Sequence, residues 1–385
     1  MKEKESALFS RYIIDGIQHD ATPYELLSEC MNLSTESDET AEFDDILDES
    51  TDHPLTSFTY NQKENETYIS ELPDTTEDRA FRMLYPETFT RHRIATALLD
   101  RIWNKGHFRL GDLSLWAEWT WNSKPLGNMA AFYSSVKAAS EYIYDIGCHL
   151  EDFSYDGCDD ESSFRVGAWL SGVQNIESDD SEIHETSLFK ASPYESRHPW
   201  IEDERQCPEH TVKDPDSEII YIPFDTSSFK LGGSLLAEIK GHNGGPSPKI
   251  QDPDYFIDCY EVVRELIEDG IVMAGETVGD GGLAKAVSRL CHDCGIELNL
   301  NGIISSYIEE DTTKILFSEI PGVVIQISSN NMDYLDSQLL LQDVAYYPLG
   351  SPTYSEKGVR LGKSSKAAVA GILALLMNQA SEGED

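Results

Sequence analysis

Positive charge is what this sequence has least of. Lysine and arginine number 29 against 70 aspartates and glutamates, a net charge of −41 over 385 residues. A surface this negative repels nucleic acid and anionic lipid, which excludes both as partners. It also repels phosphorylated ligands unless a metal or a local basic cluster offsets it. Long apolar runs are missing as well. The most hydrophobic stretch, "AAVAGILALLM" at 367–377, is about half the roughly 20 residues of a membrane span and is expected to be a packing helix. The seven cysteines, at 30, 148, 158, 207, 259, 291 and 294, are odd in number and scattered. That pattern points to a reducing compartment and no disulfide framework. Cys291-His292-Asp293-Cys294 is a lone CxxC, and a structural zinc site needs a second pair nearby. The opening "MKEKESALFSRY" is charged and lacks the apolar core of a signal peptide, so the expected location is cytoplasmic.

What remains is 40% hydrophobic, enough for two ordinary domains. Leu8, Tyr12, Ile13, Ile17, Leu26 and Leu27 suggest a helix within 7–31. Residues 32–78 carry many acids and few apolar side chains, and such a segment is expected to form a disordered or loosely attached linker. Order resumes near Arg79. "FTRHRIATALLDRIW" has a helical stripe of Ile94, Ala97, Leu98, Ile102 and Trp103. "GDLSLWAEWTWN" alternates as a strand, with Trp119 and Trp121 on one face and Trp116 on the other. "NMAAFYSSVKAASEYIYDIG" reads as a helix closed by Gly147. From 218, strands ("EIIYIPF", "GIELNL", "GVVIQIS") alternate with helices ("DPDYFIDCYEVVRELIEDG", "MDYLDSQLLLQD"). This alternation specifies a mixed α/β, or α+β, sheet layered with helices. The segments expected are 1–84, 85–217, 218–355 and 356–385, the last a helix with an acidic tail.

Two glycine turns stand out. In "GIVMAGETVGDGGLAKAVSRLC" an apolar run is followed by a short turn. Asp280-Gly281-Gly282 then opens a segment with apolar residues at helical spacing. Glycines at a helix entrance expose N–H groups to which a phosphate can bind. The simpler reading is an N-cap, with Asp280 accepting from first-turn amides and the glycines permitting the bend. Gly232-Gly233-Ser234 in "KLGGSLLAEIKG" poses the same choice.

The order of these motifs resembles the second catalytic repeat of FGAM synthase, the formylglycinamidine ribonucleotide amidotransferase family within the AIR-synthase superfamily. "LGGSLLAEI" (231–239) is similar to the family's LGGS or LGAT helix start. "DGIVMAGETVGDGGLAKAVSRLC" is similar to its HDxSDGGL stretch, and "ILFSEIPGVVIQI" (315–327) to its LFxEExGxxIQV. "LGDLSLWAEWTWN" with the helix after it is similar to the strand and long helix of its first lobe. The resemblance implies a two-lobed AIR-synthase-like fold: a divergent first lobe at 85–217, a second lobe at 218–355, and an acidic N-terminal extension at 1–84. It also implies ATP-dependent activation of an amide oxygen, attack by ammonia, and magnesium on the phosphates. Phosphate contacts would come from Gly232, Gly233, Ser234, Asp280, Gly281 and Gly282, and metal ligation from Asp100, Asp280 and Glu319. Superfamily members pair through first-lobe strands, so a homodimer, or assembly with a homologous subunit or a structural protein, is implied. Degenerate copies occur in virus particles, which makes a virion component the expectation if the chain is viral.

The departures from the family pattern are concentrated in its charged positions. Glu276 stands where the family has histidine, and a carboxylate cannot donate as imidazolium does. Thr96 and Asp100 stand where it has an acid and an asparagine four residues apart. Its lysine-bearing loop falls near "YDGCDDESSFRV" (155–166), where Asp156, Asp159, Asp160 and Glu161 crowd. Two expectations follow. The first is a non-catalytic relative acting as a binding or assembly scaffold without a cofactor, its DGGL turn architectural. The second is an active ATP- and magnesium-dependent enzyme or subunit, with acids at 155–161 recruited for magnesium.

Overall fold

A computed structural model describes residues 4–31, 42–46, 59–76, 79–106, 108–170 and 205–362. The apolar run at 367–377 and the acidic tail lie outside these residues. Residues 4–31 are not one helix. They form α1 (Lys4–Phe9), β1 (Arg11–Ile14), β2 (Ile17–Gln18) and α2 (Pro23–Cys30). The break is Asp15-Gly16, both at positive φ (54° and 75°), a two-residue turn that folds β2 back antiparallel on β1. β3 (Glu42–Asp45) then adds parallel to β1. Tyr12 and Leu27 are fully buried, and Tyr12 stacks on Phe43 at 5.3 Å between ring centroids.

The middle of the chain supplies α3 (Asn65–Glu71), α4 (Pro86–Leu99), β4 (Leu113–Trp121), α5 (Asn128–Asp145), β5 (His149–Gly157) and β6 (Ser163–Leu170). The segment expected as a linker therefore contains β3 and α3 among its described residues. β4 is the centre of the sheet β5-β4-β6. Its Leu113, Leu115, Ala117, Trp119 and Trp121 are buried in one core with residues of α4 and α5, as the alternation predicts. Trp119 and Trp121 satisfy their indole N–H groups on Ser135 Oγ (2.9 Å) and Asn128 O (2.8 Å). Trp119 and Trp121 are thus packing residues.

The rest comprises β7 (Ser217–Pro223), α6 (Leu235–Ile239), α7 (Pro253–Glu268), β8 (Val272–Val278), α8 (Gly282–Leu290), β9 (Gly295–Leu298), α9 (Asn301–Tyr307), α10 (Thr312–Phe317), β10 (Gly322–Ser328), α11 (Met332–Leu341), β11 (Tyr347–Gly350) and β12 (Gly358–Leu361). The antiparallel sheet β11-β7-β10-β8 lies between two apolar cores. Ile220, Ile222, Val323 and Ile325 join the core of α4, α5 and α7, while Ile219, Tyr221 and Val324 join that of α8 and α10. Successive residues pointing to opposite faces explain why these strands read as continuous apolar runs. Edge strand β8 is covered rather than open. Gly275 N–H donates to Pro208 O, and Arg205 donates to Gly275 O.

Candidate anion-binding junction

Both glycine turns are shaped by packing. A Cβ at Gly282 would lie 2.6 Å from Ser318 O, and one at Gly232 would lie 2.2 Å from Gly245 O. Gly281 and Gly282 also sit at positive φ (85° and 65°). Ser234 caps α6 through its side chain, as expected of an N-cap serine. Asp280 does not cap α8, contrary to the simpler sequence reading. The first-turn donor of Gly281 goes instead to Glu319 Oε1 at 2.9 Å, and the same oxygen accepts from Leu235 N–H at 2.7 Å. One carboxylate from the α10–β10 turn thereby ties the entrances of α6 and α8 together.

Asp280 is drawn away by positive charge. Its Oδ1 accepts from Arg79 Nη1 at 2.6 Å, and its Oδ2 lies 3.1 Å from Arg93 Nη1. His92 Nε2 is 3.5 Å from Oδ1. Burial acts to raise the Asp280 carboxyl, but Arg93, His92 and Arg79 together hold it well below the usual carboxylate range. Arg79, its side chain 2% exposed, also donates to Glu319 Oε2 (2.9 Å), Glu238 Oε2 (2.9 Å) and Gly233 O (2.5 Å). Its guanidinium and that of Arg93 both lie against the Phe89 ring, 5.6 and 5.1 Å from the centroid. Arg82 pairs with Glu238, and burial followed by the charge of Arg79 lowers its pKa to about 10.

Sequence reasoning placed the glycines, Ser234, Asp280 and Glu319 as candidates, and the fold brings them to this junction. It missed Arg79, Arg82, His92 and Arg93. The available signal was local: four arginines and a histidine within 79–93, in a chain poor in positive charge.

Two other candidates lie elsewhere, in a cluster behind β8. Glu276 is buried there, 3.3 Å from Arg289 Nε and 4.0 Å from Arg205 Nη2. Burial raises its carboxyl to about 7 against the pull of both arginines. Asp100, at the C-cap of α4, bonds the Thr277 side chain. The residue is exposed, and desolvation of its carboxyl raises its pKa against the pull of the Thr277 hydrogen bond and nearby arginines.

Among the described residues, His92, Asp280 and Glu319 form the one trio of metal-ligating side chains within 4.8 Å of one another. Asp100 and the acids of 155–161 do not join it. The trio does not fit magnesium as arranged. Both carboxylates already accept from Arg79, whereas Mg²⁺ requires near-octahedral oxygen ligation at about 2.1 Å. The junction fits an anion better. Arg82 Nε, His92 Nδ1 and Arg93 Nε are buried nitrogens without a hydrogen-bond partner. Arg82 and His92 also line a cavity of about 10 Å³ with Gly232, Gly233 and Ser234, roughly the room for one water.

Residues 216–335 match the family described as AIR synthase related protein, C-terminal domain. The chain is also similar to FGAM synthases. It is 27% identical over 277 residues to the probable phosphoribosylformylglycinamidine synthase, chloroplastic/mitochondrial, of Arabidopsis thaliana, covering 71% of this chain and 18% of that one. It is 21% identical over 254 residues to the human phosphoribosylformylglycinamidine synthase, covering 65% and 17%. The chain thus spans less than a fifth of these relatives' length. Among solved structures, Thermotoga maritima PurL complexed with FGAR superposes with a TM-score of 0.48 at 10% identity, covering 79% of this chain and 48% of that one. No helix among the described residues is long and apolar enough to cross a membrane.

Proposed function

We propose that the chain is a working repeat or subunit of an ATP-dependent amide-activating enzyme of the FGAM-synthase type, and that its phosphate contact is the junction of α4, α6 and α8. The observation that carries this reading is the group of unpartnered buried nitrogens on Arg82, His92 and Arg93 beside two glycine helix entrances. The positions that look degraded in sequence have spatial replacements. His92 supplies the imidazole absent at 276, and the arginines supply the charge of the absent lysine. Arg79, Arg82, Arg93 and Lys285 surround Glu238, Asp280 and Glu319, a local excess of cations in an acidic protein. A phosphate would take the two N–H groups now held by Glu319, displacing its carboxylate. ATP belongs to this proposal through the synthase relatives, and magnesium would arrive with the nucleotide rather than through the trio.

Isothermal titration of wild type and Glu319→Ala with ATP, with and without magnesium, tests it. Removing the competing carboxylate should tighten binding by about tenfold. The scaffold reading is favoured by one observation, the near absence of free volume around the locked Arg79. It prevails if neither protein binds nucleotide at millimolar concentration. Sedimentation with and without a homologous synthase then becomes the informative measurement, since assembly is what that reading requires.

A further inference from the structure

A second, roomier cleft lies away from the junction. It holds about 520 Å³, within the range of small-molecule sites, between the start of α3, strand β9, helix α9 and strand β12. We infer that this cleft binds a small organic monocarboxylate with an apolar body. Among the described residues, three solvent-exposed side-chain donors line it without a protein acceptor. Asn299 Oδ1 accepts from the backbone N–H of Asn301, which fixes the oxygen and leaves Nδ2 unpartnered. Gln62 Oε1 accepts from Thr312 Oγ1, leaving Nε2 unpartnered. Lys63 donates through its backbone to Asn61 Oδ1, and among the described residues no acid pairs with its ammonium, although acids outnumber bases 70 to 29 in this chain. Ile304 and Leu361 supply apolar wall.

A ligand suited to this lining brings acceptors and an apolar surface, and no strong donors. Lys63 favours one negative charge. Glu297 on the lining opposes a second, which disfavours phosphate and dicarboxylates. A monocarboxylate satisfies all of these demands: its two oxygens accept from ammonium and amides, and its hydrocarbon part covers Ile304 and Leu361. The site is independent of the junction and stands whether or not that site binds nucleotide.

Saturation-transfer NMR on the full chain, with benzoate and hexanoate as probes and benzamide and inorganic phosphate as controls, tests the inference. The carboxylates should bind at millimolar concentration or better, and benzamide and phosphate more weakly. Lys63→Ala and Asn299→Leu should each weaken benzoate by about tenfold, with the amide and methyl NMR spectrum otherwise preserved. Lys63 is exposed, so its variant tests the site even if Asn299→Leu perturbs the fold. Saturation transfer from neither carboxylate, or binding unchanged in Lys63→Ala, overturns the inference. Equal binding of phosphate means that bare charge is being read rather than a carboxylate site, and also overturns it.

Discussion

Two buried carboxylates in this protein do the same local job in opposite electrical settings. Asp45, at the end of β3, accepts from the backbone N–H groups of Gly127 (2.8 Å), Met129 (3.0 Å) and Ala130 (3.1 Å) at the start of α5. Among the described residues no lysine or arginine pairs with it. Glu319 accepts from Leu235 and Gly281 at the starts of α6 and α8, but it also faces Arg79 in a cluster of cations and acids. The Asp45 cradle is closed by the helix dipole, three hydrogen bonds from the start of α5 and a fourth from Ile46 N–H. Glu319 sits where an anion from outside could compete, because unpartnered donors remain beside it. The comparison separates a carboxylate that fastens the N-terminal strands to a helix from one that ties two helix entrances together within a cluster of cations.

The largest break in this comparison is expected from Arg79→Ala. It leaves Glu238, Asp280 and Glu319 without their shared partner. Stranding buried charge of this kind costs about 3–5 kcal/mol, measurable by urea denaturation at neutral pH. The Asp280 carboxyl, depressed in the fold, contributes stability above its unfolded pKa and loses it as pH falls toward the folded value. Wild type should therefore lose more stability than Arg79→Ala on acidification below about pH 5. Asp45→Ala should cost less, about 1–2 kcal/mol, since neutral donors rather than charges are left unpaired. The Asp45 effect should also respond weakly to salt.

The junction and the α5 cradle also differ in how much the sequence revealed. The second half of the chain was legible because β7 and β10 are buried on both faces and because α7 and α8 carry clear apolar stripes. In the first half, Asp15-Gly16 is a hairpin signal hidden within a helix-like spacing of apolar residues. Strand β5, "HLEDFSYDG", has no clean alternation because only Leu150 is fully buried in it. The glycine turns were visible as motifs, but their purpose was not. Glu319 and Arg79 meet across 240 residues, and Asp45 and Gly127 across 82. Carboxylates that satisfy a helix start from so far along the chain leave no local pattern. The missing motif histidine at 276 suggested loss of chemistry, whereas His92 reaches Asp280 from another element.

Glu276 sharpens the comparison from a third side, as a buried carboxylate with no helix start to serve. Its Oε2 has no hydrogen-bond partner, and burial raises its carboxyl from 4.5 to about 7. The folded state thus binds a proton more tightly than the unfolded state. Stability from this group is fully present below the unfolded pKa and falls as pH rises through about 7. Glu276→Gln keeps the shape and removes the ionisation. It should gain about 1–2 kcal/mol relative to wild type at pH 8 and little at pH 5, after the lost attraction of Arg205 and Arg289 is subtracted.

The smallest expected effect is the one that most directly separates the two cradles. Millimolar inorganic phosphate should raise the melting temperature of Glu319→Ala, where two N–H groups and the nitrogens of Arg82 and His92 become available together. For a ligand at several times its Kd the stabilisation is about 1 kcal/mol, a shift of a few degrees. Asp45→Ala should show no such gain, because three N–H donors without a nearby guanidinium do not hold an anion against water. A phosphate response equal in the two variants would mean that a helix entrance alone suffices, and the arginines of 79–93 would then be structural ties for the acids around them.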